Sequence, residues 1–137
     1  GRINGELGEA HWMPIRYVSR SYGRSTLAQL YRSAHVGLVT PLRDGMNLVA
    51  KEYVAAQDPD APGGLVLSRF AGAAEELDEA LLTNPYDRGG TARAIAQALS
   101  MSREERVARH ARLLGVVKNN APSVWSDQFL SELVATR

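Results

Sequence analysis

A single segment near the middle of the chain constrains the fold more than any other feature. Residues 36–52, VGLVTPLRDGMNLVAKE, join a continuous apolar run, a short polar turn and a stretch with helical apolar spacing. This order predicts a β-strand, a loop and an α-helix. The N-terminus of such a helix leaves backbone N–H groups without intrahelical partners, and the helix dipole also favours negative charge there. The segment therefore predicts a site for a phosphate-bearing ligand.

Two carboxylates accompany this predicted site. Asp44 falls in the loop, and Glu52 lies two helical turns further along. With a helix beginning at about Gly45, Gly45 and Glu52 lie on nearly the same face, about 10 Å apart along the axis. A ligand on this face would meet Asp44 and the loop N–H groups at one end and Glu52 at the other. The pattern alone leaves a second interpretation open, because such residues also serve as a helix cap and a solvated charge.

The rest of the sequence alternates between strand and helix signals. Strands are predicted at 14–18, 36–39, 65–68 and 80–83, and helices at about 25–34, 45–57, 90–100, 103–118 and 122–134. This alternation indicates an α/β fold with a parallel sheet whose faces are covered. We expect residues 1–24 to form an irregular and strand segment, 25–100 the α/β core and 101–137 the C-terminal helices. The strand at 36–39 is expected to be buried.

Composition excludes several classes of function. The 137 residues carry sixteen basic and fifteen acidic side chains, for a net charge of +1, which gives no signal for nucleic acid or a membrane surface. The chain has no cysteine, which rules out disulfides and thiolate metal sites. No apolar run approaches the roughly 20 residues that span a bilayer. The chain begins at Gly1, with neither an initiator methionine nor a signal peptide, and we expect a cytoplasmic protein.

Other conspicuous side chains are assigned less specific roles. Lys51 is predicted to be a surface charge, and Trp12 and Trp125 to be buried anchors. Four arginines at helical spacing alternate with acidic residues and predict a solvated helix face: Arg103, Arg106, Arg109 and Arg112. The three histidines show no metal-ligand spacing.

The segment at 36–57 resembles the nucleotide-sugar motif of the trehalose-6-phosphate synthases. These are retaining glycosyltransferases of the two-domain GT-B architecture. The resemblance extends to 67–77, 84–87, 101–102 and 109–110, nearly the whole chain, and DGMNLVAKE is its most specific part. It implies that this chain is a C-terminal fragment of a longer enzyme. The expected fold is then a partial Rossmann-like sheet with flanking helices, from the donor-binding domain.

The resemblance also implies roles for the loop residues near the donor glucose. Asp44 resembles the family aspartate that contacts hydroxyl groups of the glucose, the one residue to which it assigns a catalytic role. The backbone N–H groups of Gly45, Met46 and Asn47 would surround the same sugar. Glycine at position 45 would let the backbone approach the ligand closely.

Roles at the nucleotide end follow in the same way. The backbone N–H groups of Leu48 and Val49 would bind the diphosphate, and Glu52 resembles the carboxylate that holds the uridine ribose. No metal ion or other cofactor is implied, because basic residues usually neutralise the diphosphate in this architecture. Those basic residues lie upstream of this chain in the family.

The implied reaction is transfer of glucose from UDP-glucose to glucose-6-phosphate, with retention, to give trehalose-6-phosphate. The leaving diphosphate would help to deprotonate the acceptor, and the fragment alone is expected to be inactive. Its partners would be the two substrates and the missing N-terminal domain. Unpaired apolar residues in the helix at 122–134 also raise the prospect of self-association. Two alternatives stay open: a non-catalytic synthase-like regulatory domain, and a GT-B enzyme with another donor, such as ADP-glucose or GDP-glucose, or another acceptor.

Overall fold

A three-stranded parallel sheet forms the centre of the chain. The computed structural model describes residues 1–120 together with 126, 130, 131, 133 and 134. Strands β1 (Val36–Val39), β2 (Gly64–Ser68) and β3 (Leu81–Thr83) lie side by side in that order. Val36 pairs with Gly64, and Val66 pairs with Leu81, so all three strands end at the same edge. The predicted α/β class and parallel sheet are confirmed.

Helices cover both faces of this sheet. The helices are α1 (Arg2–Leu7), α2 (Arg24–Ser33), α3 (Leu48–Ala56), α4 (Arg88–Ser100) and α5 (Arg103–Asn119). The central strand is buried along its whole length, and its alternating side chains reach opposite layers. Leu65 and Leu67 pack in the cluster that includes residues of α3 and α5, whereas Val66 packs with Ala94 and Ala98 of α4. The loops at the carboxyl edge are therefore carried by a packed three-layer core.

Tyr53 ties α3 to the amino ends of the strands. Its side chain is buried, and its hydroxyl donates to the carbonyl oxygens of Ala34 at 3.2 Å and Gly64 at 3.1 Å. Gly37 lies directly under the ring, where an added Cβ would approach the ring carbons to 2.9 Å. Burial raises the pKa of Tyr53 to about 12. Helix α3, which carries the candidate site, is thereby fixed in position on the sheet.

Tyr53→Phe is expected to lower the free energy of unfolding by about 1–2 kcal/mol at neutral pH, because the carbonyls of Ala34 and Gly64 lose the hydroxyl donor that they share. The substitution should also weaken the decrease in the free energy of unfolding at alkaline pH. Since the pKa of Tyr53 is raised, its contribution is complete below pH 10 and is lost as the pH rises towards 12. Denaturant titrations from pH 8 to pH 11.5 measure both effects. Tyr17→Phe, at a side chain 88% exposed, is the control and should change neither; an unaltered alkaline limb in Tyr53→Phe would contradict the assignment.

The N-terminal segment differs from the prediction. Residues 2–7 form a short helix rather than irregular chain, and residues 14–18 form no strand. The Asn4 side chain takes the place of a strand partner, because its amide donates to the Ile15 carbonyl at 2.8 Å and accepts from the Ile15 N–H at 3.0 Å. Trp12 is 52% exposed and is not a buried anchor.

The predictions for the strand at 36–39 and for the start of α3 need correction, and the predicted C-terminal helix is described only in part. Strand β1 is at the edge of the described sheet, so it is only partly buried and Leu38 is 51% exposed. Helix α3 begins at Leu48 rather than at about Gly45. Within the predicted helix at 122–134, the structure describes only residues 126, 130, 131, 133 and 134, which are helical. Trp125 lies outside the described residues, and the suggested self-association stays a prediction.

Candidate functional site

The loop between β1 and α3 is anchored on the turn that follows β2. The backbone N–H of Asp44 donates to the carbonyl of Phe70 at 3.2 Å, and the Gly72 N–H returns a bond to the Asp44 carbonyl at 3.0 Å. A third bond runs from the Ala73 N–H to the Met46 carbonyl at 2.8 Å. These bonds involve only main-chain atoms, so they hold the loop in place whatever side chains it carries. The turn after β2 therefore borders the predicted site and also packs beneath it.

The Asp44 carboxylate is half-buried and points back across its own loop. One oxygen accepts the Met46 N–H at 3.1 Å, and the other accepts the side-chain amide of Asn47 at 3.0 Å. These donors, the Met46 N–H foremost, hold the pKa of the Asp44 carboxyl below its usual range. The group therefore keeps its charge until the pH falls below ordinary carboxyl values. A fixed anion with free lone pairs at a loop surface is suited to accept hydrogen bonds from hydroxyl groups.

Asn47 sets the start of α3. Its φ is +69°, in the left-handed region, and its side-chain oxygen accepts the Ala50 N–H at 2.9 Å as an N-cap. Asparagine tolerates this backbone conformation better than most residues and is among the preferred N-caps. The predicted geometry with Gly45 and Glu52 on one helix face is therefore wrong, because Gly45 lies in the loop before the cap. Glu52 instead lies one turn beyond Leu48.

The first turn of α3 presents open hydrogen-bond donors. In the described part of the chain, the backbone N–H groups of Leu48 and Val49 meet no acceptor. Both residues are exposed at 58% and 45%, respectively. Gly45 is also open, since a Cβ built there would meet no heavy atom within 4 Å and its φ is not positive. The chain's own packing therefore gives no reason for a glycine at position 45.

Glu52 stands at a groove between α2 and α3. The groove has a volume of about 330 Å³ and an apolar floor. Its walls are formed by Arg24, Leu27, Ala28, Tyr31, Glu52, Ala55 and Ala56. Glu52 is exposed and forms no ion pair with the described residues. A larger concavity of about 930 Å³ lies among residues 1–17 and shares no residue with the loop or with α3.

Several basic side chains are engaged away from this site. Lys51 is only 18% exposed and pairs with Glu76 at 2.8 Å, so its prediction as a surface charge is wrong. The Lys51 ammonium lowers the pKa of the Glu76 carboxyl. Arg43 is exposed and has no ion-pair partner among the described residues.

The arginine cluster on α5 also differs from the predicted solvated face. Arg103 donates to the Asp60 carbonyl at 2.8 Å, and Arg106 donates to the Pro62 carbonyl at the same distance. Arg109 and Arg112 both pair with Glu79. The cluster thus joins α5 to the turn before β2 and to the loop before β3. His110 is buried beside it, with its ring Nε2 3.0 Å from the Val54 carbonyl oxygen.

Over the described ranges, no three His, Asp or Glu side chains gather closely enough to hold a metal ion. Nor does any helix within those ranges have the length and hydropathy needed to cross a membrane. The candidate site consists of one loop carboxylate, the open N–H groups at a helix start and one carboxylate beside the groove.

The structure brings the predicted loop residues together and adds two features. Asp44, Gly45, Met46, Leu48 and Val49 lie together in the exposed or half-exposed loop and first helical turn, with Asn47 buried among them, and Glu52 follows one turn later. The cap formed by the Asn47 side chain was not predicted, although an asparagine directly before an apolar helix is an N-cap signal. The three main-chain bonds to the 70–73 turn were not predicted either, because their only sequence signal is the small residues after a strand.

Comparisons with known proteins identify close relatives of this chain. The sequence profile of glycosyltransferase family 20 matches residues 1–135. A trehalose-6-phosphate synthase from Sinorhizobium fredii is 60% identical over 136 residues, which are 99% of this chain and 29% of that protein. The trehalose-6-phosphate synthase of Escherichia coli K12 is 56% identical over 133 residues, 28% of its length. This chain thus spans less than a third of the relatives that it matches.

Solved structures agree with these matches. A Burkholderia xenovorans α,α-trehalose-phosphate synthase (UDP-forming), in complex with glucose-6-phosphate, superposes with a TM-score of 0.93 at 60% identity. The match covers 96% of this chain and 29% of that one. An Escherichia coli structure bound with UDP-2-fluoro glucose gives a TM-score of 0.94 at 56% identity, covering 97% and 30%. The described fold is therefore part of a larger architecture that holds a sugar phosphate in one relative and a UDP-sugar analogue in another.

Proposed function

Because this chain belongs to glycosyltransferase family 20, we propose that it forms part of the donor site of a UDP-glucose-dependent trehalose-6-phosphate synthase. The complete enzyme would transfer glucose from UDP-glucose to glucose-6-phosphate with retention of configuration. The observation that carries this proposal is the loop that joins β1 to α3. It combines an ionised Asp44, an unobstructed Gly45 and open N–H groups at Leu48 and Val49 on one surface.

Each part of this surface fits one part of a nucleotide sugar. The Asp44 carboxylate, with the open backbone at Gly45, would bind the hydroxyl groups of the glucose. The Met46 N–H would act through Asp44, to which it already donates. The N–H groups of Leu48 and Val49, at the positive end of the α3 dipole, would bind the diphosphate. The Glu52 carboxylate would accept hydrogen bonds from the two ribose hydroxyl groups.

Rate enhancement would come from electrostatic stabilisation and orientation. Charge develops on the departing UDP as the bond to the anomeric carbon breaks, and fixed N–H donors stabilise it without reorganising. Asp44 would hold the glucose in position for attack by the acceptor hydroxyl. The diphosphate, rather than a side chain of this chain, would take up the acceptor proton. No metal ion enters this scheme.

The 137 residues supply only one wall of the site. The relatives are more than three times as long, and one of them is solved with glucose-6-phosphate. We infer that the acceptor-binding domain and the cations that neutralise the diphosphate lie in the rest of the protein. The chain alone should therefore bind UDP weakly, with a dissociation constant on the order of 1 mM, and transfer no glucose.

The direct test compares the full-length protein with residues 1–137 in a coupled assay of UDP release from UDP-glucose and glucose-6-phosphate. We expect turnover by the full-length protein, formation of trehalose-6-phosphate and no turnover by the chain alone. Parallel assays with ADP-glucose and GDP-glucose test which nucleotide base the enzyme prefers in its donor. Absence of transfer by the full-length protein with any donor would favour a regulatory role, and turnover by the chain alone would refute the half-site proposal.

Gly45→Ala is expected to separate ligand binding from stability. No atom of the chain opposes the new methyl group, so the free energy of unfolding should change by less than about 0.5 kcal/mol. The methyl group would enter the space proposed for the donor glucose, and the KM for UDP-glucose in the full-length protein should rise about tenfold or more.

The matched variant is Gly72→Ala, whose Cβ would overlap the carbonyl oxygen of Gly45 from below the loop. We expect it to destabilise the fold by about 1–3 kcal/mol. Thermal melts and steady-state kinetics of both variants are the measurements. Unchanged kinetics in Gly45→Ala would argue against a sugar at this position.

A further inference from the structure

Asn47 occupies an unusual place in the described chain. Among residues 1–120 it is the only non-glycine residue with a positive φ, at +69°, and its side chain is buried, with 8% of the residue exposed. A left-handed conformation at a side-chain-bearing residue persists only where its surroundings stabilise it. Here those surroundings are the candidate site itself.

Both polar atoms of the Asn47 side-chain amide form hydrogen bonds in or next to the loop. Its oxygen accepts the Ala50 N–H at 2.9 Å, and its nitrogen donates to the Asp44 carboxylate at 3.0 Å. The orientation of the amide follows from these partners, because an N–H requires the oxygen and a carboxylate requires the nitrogen. One side chain therefore joins the start of α3 to the loop anion.

We propose that the Asn47 side chain is a positioning residue, which fixes the Asp44 carboxylate and the first-turn N–H groups of α3 relative to each other. The inference rests on the proposed function, in which these groups bind the two ends of one nucleotide sugar. Asn47 itself would act through Asp44 and through the backbone. Its cap bond uses the Ala50 N–H and thereby leaves those of Leu48 and Val49 for the ligand.

No cationic side chain in the described part of the chain holds the Asp44 carboxylate in place of Asn47. Arg43 precedes Asp44 in the loop and Arg69 precedes the 70–73 turn, but neither forms an ion pair with Asp44 among the described residues. On α3, Lys51 pairs with Glu76 instead. The Asp44 carboxylate is therefore held by the Asn47 amide and by backbone N–H groups.

The decisive variant is Asn47→Asp. It keeps the size of the side chain and an oxygen for the cap, but it places a second carboxylate against Asp44. Like charges at this distance raise a carboxyl pKa, so the acid limb of the kcat/KM profile of the full-length protein should move to higher pH. At neutral pH, kcat/KM should fall by about tenfold to a hundredfold, because misplacement of a binding group has effects of that size.

A second variant and a matched control complete the experiment. Asn47→Gly adopts the left-handed conformation freely but removes both bonds. It should lose kcat/KM with a smaller shift of the acid limb than Asn47→Asp, because it removes one donor to Asp44 without adding a second negative charge. Ser102→Ala removes the equivalent cap of α5, where the hydroxyl accepts the Glu105 N–H at 3.2 Å. It should lower the melting temperature and leave kcat/KM unchanged.

The outcomes separate this inference from the proposed function. An active wild type whose Asn47→Asp and Asn47→Gly variants keep its kcat/KM and pH profile would overturn the positioning role. An inactive wild type would instead overturn the proposed function. In that case, carboxyl ¹³C NMR titration of Asp44 in the ligand-free chain still decides the inference: a raised pKa in Asn47→Asp supports it, and an unchanged pKa refutes it.

Discussion

Replacing Asp44 with asparagine is expected to lower the turnover of glucose transfer in the full-length protein by about a hundredfold or more. The variant loses the charge that would bind the glucose hydroxyls, and hydrogen bonds to a charged group are worth about 1.5–3 kcal/mol each. The new amide would also oppose the Asn47 amide, which now donates to Asp44 at 3.0 Å. Steady-state rates with saturating UDP-glucose measure the loss.

The Asp44 variant should nevertheless fold. Three main-chain hydrogen bonds tie the loop to the 70–73 turn without using the carboxylate. Asp58→Asn is the matched control, because Asp58 accepts the backbone N–H two residues ahead at 3.1 Å just as Asp44 does, but at the other end of α3. Normal turnover in Asp58→Asn with a large loss in Asp44→Asn would assign the effect to the site. Equal losses in both would show that local folding alone is responsible.

Glu52→Gln should chiefly weaken binding of the nucleotide. We expect the KM for UDP-glucose to rise about tenfold to a hundredfold, since charge-assisted hydrogen bonds to the two ribose hydroxyls would be lost. The fold should be unaffected, because Glu52 is exposed and forms no ion pair among the described residues. Donor titrations of the full-length protein at saturating glucose-6-phosphate are the measurement.

The control for Glu52 is another exposed carboxylate, on a helix that does not line the groove. Glu104 on α5 meets this condition, and Glu104→Gln should leave the KM for the donor unchanged. The Glu52 assignment would be contradicted by an unchanged donor KM in Glu52→Gln, or by an equal rise in Glu104→Gln. A fall in turnover at constant KM would instead indicate a role in the reaction step.

The sequence predicted the elements whose signals are local. The strands predicted at 36–39 and 65–68 and the helix predicted at 103–118 depend on neighbouring residues only, and each appears in the structure within one residue of its predicted bounds. The predicted start of α3 was three residues early because the competing signal, a left-handed Asn47 that caps Ala50, overrides helical spacing. Residues 14–18 were wrongly predicted as a strand, since β propensity does not reveal whether a partner strand is present.

The candidate site likewise has features with local sequence signals and features without them. The positions of Asp44 and Glu52 around a helix start followed from spacing, whereas the contact between the 44–46 loop and the 70–73 turn joins residues far apart in sequence. Lys51 illustrates the same difficulty, because its pairing with Glu76 depends on how α3 packs beside the 3-10 turn at Gly72–Glu75. Such long-range pairings have no local sequence signal.

Titration of UDP onto the ¹⁵N-labelled 137-residue chain shows whether the proposed donor site binds a nucleotide without the rest of the protein. We expect amide shifts confined to residues 44–52 at millimolar UDP, largest at Leu48 and Val49, where the open N–H groups lie. The shifts should weaken in Glu52→Ala, while those at Leu48 and Val49 should persist in Asp44→Ala, because UDP carries no glucose. Shifts elsewhere, or shifts at 44–52 that are unchanged in Glu52→Ala, would contradict the proposed donor site.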